Sequence, residues 1–170
     1  FVTRKVGRSR VPLRWALEDN YYEAFGRRPE LKNPKRYTEK IQKSILSERN
    51  PLYHKLVDKA AVKVYVASVI GEEYVVPTLG VWSRVEDIDW DALPDRFVLK
   101  CTHDSGSAVI CRDKASFDRV SACRHLDGCL KRDYWKTSRE WAYKELKHRV
   151  IAEPYLPDLA SAAVSEEVSD

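Results

Sequence analysis

The sequence predicts an α+β fold: a helical N-terminal region followed by a small mixed or antiparallel sheet with helices. Two observations carry this expectation. Up to Gly71, apolar residues recur mostly at three- and four-residue spacing, the signature of helices with one buried stripe. Beyond Tyr74 the period changes to short β-branched or aromatic runs bounded by Pro, Gly, Asp and Ser. The order of helices, strands, a hairpin, a helix and a last strand differs from the strict alternation of a parallel βαβ sheet.

Each element has its own local signal. Pro12 suits a first helical turn, Leu13, Trp15, Ala16, Tyr21 and Phe25 follow, and Gly26 provides a stop. Thr38 is positioned as an N-cap, with Glu39 in the first turn and Ile41, Ile45 and Leu46 on one stripe. Asn50-Pro51 repeats the cap-then-proline signal. Asp58 can cap a further helix carrying Val62, Tyr65, Val66 and Val69 and ending at Gly71. Strands are expected at Tyr74–Pro77, Gly80–Ser83, Arg96–Cys101, Ala108–Cys111 and Arg149–Glu153. Between the last two, a helix with Phe117, Val120, Cys123, Leu126 and Leu130 starts near Ser116 as N-cap. The expected organisation is a helical region over 1–73, a sheet-bearing subdomain over 74–158 and a small, polar, disordered tail over 159–170.

Composition limits the function classes. The 170 residues are 44% hydrophobic and 33% charged, with five Trp, nine Tyr and four Phe, enough for a sizeable core. The net charge of +4 is mildly basic and suits an anionic partner. The longest apolar stretch, Ala60–Ile70, is interrupted by Lys63 and falls short of a membrane span. Phe1-Val2-Thr3-Arg4-Lys5 lacks the apolar core of a signal peptide, so a cytoplasmic setting is the expectation. The chain contains no Met, from which an internal piece of a longer protein, or a processed one, is expected. Cys101, Cys111, Cys123 and Cys129 form no CxxC pair, so they read as small buried or half-buried hydrophobes rather than as a zinc or redox site.

Three segments can carry chemistry. Phe97–Cys111 is two apolar runs around the polar tip Thr102–Ser107, whose backbone N–H groups suit an anion, with Lys100 beside the tip as a point charge. His103 reads as a hydrogen-bonding or ligand-contacting residue, since adjacency to Asp104 alone builds no acid–base pair. In the second segment, Lys59 follows the cap Asp58, where a cation conflicts with the helix dipole unless an anion is near. Lys63, one turn on, reads as a solvated face residue. In the third, Val150-Ile151-Ala152-Glu153-Pro154-Tyr155-Leu156-Pro157-Asp158 is an apolar strand ending in a stiff extended linker that can read a flat heterocycle through its main chain.

Taken together the segments resemble the ATP-grasp superfamily, in its TupA-like branch named for teichuronopeptide biosynthesis. The resemblance runs from about Leu31 to Asp158. It is carried by Asn33-Pro34, Thr38–Gln42, Arg49–Tyr53, Lys55–Lys59, Gly71–Tyr74 with Pro77, Leu93–Asp95, Phe97–Cys101, His103, Ser105-Gly106, Ser138–Trp141 and Ile151–Leu156.

The resemblance implies that ATP is the ligand and that Lys59 and Lys100 hold its phosphates. It also implies that Ser105, Gly106 and Ser107 close over the phosphates as a mobile lid, with His103 beside them. Glu153, Tyr155 and Leu156 belong to a hinge contacting adenine, with Glu153 or Asp158 on the ribose or adenine edge. The implied reaction activates a carboxylate as an acyl phosphate for attack by an amine, with magnesium bridging the phosphates. Its setting would be cell-envelope or capsular polysaccharide modification, with a polysaccharide or amino-acid acceptor. Two departures stand out. The loop reads His-Asp-Ser-Gly-Ser where His-Gly-Ser-Gly is more usual, and the lobe expected to hold the magnesium ligands does not follow. The fold would thus be an incomplete ATP-grasp fold, and no catalytic or metal-ligating residue is assigned.

Two alternatives compete with this reading. A sugar-transferring polysaccharide enzyme would use a DxD motif. Asp87-Ile88-Asp89 and Asp89-Trp90-Asp91 have that spacing but read as surface turns. A nucleic-acid-binding module would use Arg27-Arg28, Lys35-Arg36, Lys131-Arg132 and Tyr134-Trp135, although nucleic acid is not the expected partner.

Overall fold

The computed structural model describes residues 11–156. Within it, the chain divides into two compact units. One ends at Val57 and takes in Asp133–Leu146; the other runs Asp58–Arg132 and resumes at Lys147.

The first unit is helical. Helix α1 (Leu13–Phe25) follows Pro12 and ends on Gly26, which adopts φ 65° and returns its N–H to the Tyr22 carbonyl at 2.8 Å. It buries Ala16, Leu17 and Tyr21. Helix α2 (Tyr37–Ser47) begins at Arg36, so Thr38 lies inside the helix rather than at its cap. The reason is Glu39, 1% exposed, whose carboxylate reaches back to the Arg36 N–H at 3.1 Å and the Lys35 N–H at 3.3 Å. A glutamate in the first turn thereby satisfies backbone donors that a capping hydroxyl would otherwise take. The same carboxylate accepts from Arg27 at 2.8 Å and Arg36 at 3.3 Å, while Arg27 also donates to the Tyr21 hydroxyl at 2.7 Å. The hydrogen bond from Arg27, followed by that from the Arg36 backbone, pulls the Glu39 carboxyl down to about 2. Asn50 and Pro51 do precede a short helix, α3 (Leu52–Val57), with Asn50 Oδ1 accepting from the Leu52 N–H at 3.0 Å.

The second unit holds helix α4 (Ala61–Ile70) and a four-stranded antiparallel sheet of β1 (Gly80–Trp82), β2 (Phe97–Cys101), β3 (Val109–Cys111) and β4 (Val150–Pro154), ordered β1-β4-β2-β3. Strand β4 is central, and Val150, Ile151 and Ala152 are wholly buried. Helix α5 (Arg119–Leu130) packs Leu126 and Cys129 with Phe97, Leu99, Cys101, Val150 and Ala152 in the core. Its cap is Asp118, which accepts from the Ser121 N–H at 2.9 Å, rather than Ser116, whose hydroxyl is held 2.6 Å from Asp113. Phe117, left outside the helix, meets Phe97 edge to face at 5.4 Å.

Tyr74–Pro77 is not a strand. Glu72–Tyr74 forms a 3₁₀ turn, and sheet pairing begins only at Gly80. The Val76 carbonyl is taken by the Lys63 ammonium instead of by a neighbouring strand. Helix α6 (Tyr134–Ser138), in the first unit, carries little apolar periodicity and was not expected; Asp133 caps it, accepting from the Trp135 N–H at 3.1 Å.

Two outcomes follow. Leu126→Ala leaves a cavity under a fully buried side chain and should cost about 2–5 kcal/mol in denaturant unfolding. Glu39 titrates near 2 in the folded chain, below its unfolded value, so its contribution is present above about pH 5 and disappears as pH falls toward 2. Glu39→Gln should therefore lower the thermal midpoint at neutral pH and flatten its decline across that acidic window.

Candidate functional site

Strand pairing determines which side chains meet. In the β2–β4 register Val98 lies opposite Glu153 and Lys100 opposite Ile151, so Lys100 and Glu153 project from the face opposite Phe97, Leu99 and Cys101. On that face the Glu153 carboxylate bridges two cations, 2.5 Å from Lys100 and 2.8 Å from Lys63 of α4. Lys63 is thus not a solvated face residue: its side chain is only 14% exposed, and it also donates to the Val76 carbonyl. Burial alone would raise the Glu153 carboxyl, but hydrogen bonds from Lys100 and Lys63 hold it below its ordinary value. Around these charges lies a cavity of about 270 Å³, walled by Val62, Val66, Tyr74, Val75 and Val76. An adjoining groove of about 590 Å³ shares Lys63, Val75 and Val76 with it.

Lys59 reaches the same neighbourhood from the turn before α4. Asp58 shapes that turn by accepting from the Ala60 and Ala61 N–H groups at 2.9 and 2.8 Å, and Arg149 pairs with its carboxylate at 3.2 Å. The Lys59 N–H bonds the Thr102 carbonyl at 3.0 Å and its ammonium bonds the Asp104 carbonyl. Burial lowers the Lys59 ammonium from its ordinary value, with Asp104 opposing and Lys100 adding to the effect, so the two lysines sense one another. An ammonium destabilised by burial and by a like charge favours an arriving anion.

The loop after β2 is more enclosed than a polar tip suggests. Thr102, His103, Asp104 and Ser107 are buried, leaving Ser105 and Gly106 exposed, with Gly106 at φ 88°. Ser107 Oγ donates to Asp104 at 2.5 Å and accepts from the Cys101 N–H at 2.8 Å. His103 stacks on His148 at 3.7 Å, and its Nε2 lies 3.1 Å from the Arg132 carbonyl. Burial, followed by the neighbouring His148, lowers its pKa and favours the neutral ring. None of Lys59, His103, Ser105, Gly106 and Ser107 lines the cavity.

Beyond β4, the Tyr155 N–H lies 3.4 Å from the Arg96 carbonyl, and the Arg112 guanidinium sits 5.9 Å from its ring centre. Leu156 is exposed. Asp158 lies outside the described residues. Of the residues expected at the site, Lys100 and Glu153 meet directly and Lys59 is electrostatically coupled to Lys100. Lys63 was missed, because spacing alone reads it as a solvated residue of α4.

Cations and apolar walls fit a nucleotide, but magnesium does not fit the described residues. Their one close cluster of candidate ligands is Cys101, Asp104 and Cys129, whose ligand atoms lie within 4.8 Å of one another. Two thiols suit softer metals than magnesium, and burial pushes the Cys101 thiol up to about 12. The DxD-spaced acids are turn residues: Asp87 pairs with Arg84 at 2.6 Å and Asp89 accepts from the Ala92 N–H at 3.2 Å. Among the described residues no helix is long and apolar enough to cross a membrane.

No curated protein and no solved structure matches the chain. The model of the TupA-like ATPgrasp family matches residues 39–164, more than half of the 170 residues and inclusive of every lysine and acid at this cavity. With that match over more than half of its length, the chain belongs to the TupA-like ATP-grasp family.

Proposed function

We propose that the chain supplies the nucleotide-phosphate and hinge portion of an ATP-dependent carboxylate–amine ligase acting in cell-envelope or capsular polysaccharide modification. The single observation that carries this reading is the pairing of both Lys63 and Lys100 with Glu153 at an apolar-lined cavity, with Lys59 electrostatically close to Lys100. ATP-grasp membership implies ATP binding; the ligase reaction and the polysaccharide setting are the finer parts of the proposal.

The residues divide the work by chemistry. Lys100 and Lys59 approach from different segments and bind phosphate oxygens as point charges. Val62, Val66, Val75, Val76 and Tyr74 offer apolar surface for a flat base to lie against. Glu153 holds Lys63 and Lys100 in place, and the main chain at Tyr155 and Leu156 runs on from that carboxylate as the hinge. Asp158 remains a candidate contact for the ribose or adenine edge. Exposed Ser105 and Gly106 offer backbone N–H groups at the loop tip. Bound magnesium would neutralise phosphate charge, and no step here is assigned to it.

Titration of ATP into the chain should give saturable binding near the millimolar range, about −4 kcal/mol. Lys100→Ala should weaken it by about 1.5–3 kcal/mol through loss of a charge-assisted contact. Lys131→Ala is the control, since that lysine pairs with Asp127 on an exposed helix end and should leave binding unchanged. Absence of saturable binding, or equal binding by the Lys100 variant, would reject the assignment.

A further inference from the structure

We infer that Lys63 is a positioning residue, one that shares the Glu153 carboxylate so that Lys100 remains available to an anionic ligand. The inference rests on the nucleotide reading above and deepens it.

Its basis is the geometry of one carboxylate between two ammonium groups. Glu153 offers one oxygen to each lysine, Oε1 to Lys63 and Oε2 to Lys100. The side chains of Lys63 and Glu153 are 14% and 12% exposed, so their interaction is poorly screened by solvent. With only Lys100 as partner, the acid and the lysine would form a neutral pair and the cavity would hold no excess positive charge. Adding Lys63 leaves the trio with a net charge of +1, and Lys59 contributes a further cation on the Lys100 side. Lys100 commits one of its three ammonium donors to Glu153, leaving two to meet phosphate oxygens.

Lys63 also restrains the cavity wall. Its bond to the Val76 carbonyl ties the extended segment after the 3₁₀ turn to the carboxylate of the central strand. Val75 and Val76 line the cavity, and the Leu79 N–H bonds the Ala152 carbonyl at 2.8 Å a few residues on. One side chain thus fixes both the charge and the apolar wall. Lys63 need not touch the ligand to do this.

Two measurements test the inference. The first follows the Glu153 carboxyl by carbon NMR across acidic pH, without nucleotide. Lys63 on α4 and Lys100 on β2 are the charged groups facing that carboxyl, with Lys59 and Asp104 beyond them. Removing one of two cations should move the Glu153 midpoint upward in Lys63→Ala, and Lys63→Arg should restore it. The second compares ATP dissociation constants. Lys63→Ala should weaken binding by about tenfold, and Lys63→Arg should recover most of that loss. In a Glu153→Gln background, where no carboxylate competes for Lys100, Lys63→Ala should cost less than about threefold. An unmoved Glu153 midpoint, or a Lys63 effect equally large in both backgrounds, overturns the inference. Absence of ATP binding by the unaltered chain would instead reject the nucleotide reading, and the NMR midpoint would still decide the charge coupling.

Discussion

A carboxylate at the end of a buried central strand holds the second unit's chemistry together. Glu153 is the penultimate residue of β4, whose Val150, Ile151 and Ala152 are fully buried, so its position follows from the innermost part of the sheet. A charge in such a place is costly unless partners repay its lost hydration, and Glu153 has two. Lys63 comes from α4 and Lys100 from β2. A helix, the strand beside β4 and β4 itself therefore converge on two oxygen atoms.

The sheet separates two kinds of environment. Phe97, Leu99 and Cys101 turn into the core against Leu126 and Cys129, whereas Lys100 faces the ion cluster. Alternation along a single strand is enough to make one face apolar and the other cationic. On the apolar side the thiols stay protonated, with burial pushing Cys101 up to about 12. On the other side, two lysines keep a carboxylate ionised despite its burial.

The loop after β2 is largely buried. Asp104 uses its carbonyl for Lys59 and its carboxylate for Ser107, while Ser107 also takes the Cys101 N–H. Most of the polarity that marks the loop as a phosphate tip is thus spent on internal bonds. Its exposed part is Ser105 and Gly106, where the positive φ of Gly106 lets the chain reverse.

Local chemistry was legible in the sequence wherever the cause is local. The stop at Gly26, the turn that Asp58 sets before α4, the alternation of β2 and the burial of Cys101, Cys111 and Cys129 all follow from residues and their near neighbours. The family-like pattern also singled out Lys59, Lys100 and Glu153, because their order along the chain is distinctive. What tertiary structure decided is where distant partners compete with local preference. Glu39 displaced Thr38 as the organiser of α2 by gathering Arg27 and Arg36, and Val76 lost a strand partner because Lys63 took its carbonyl. Lys63 reads as a surface lysine from spacing alone. Only the antiparallel register that brings Glu153 beneath α4 turns it into half of a bridged ion pair, because an ammonium's role is set by the charge it meets across the fold.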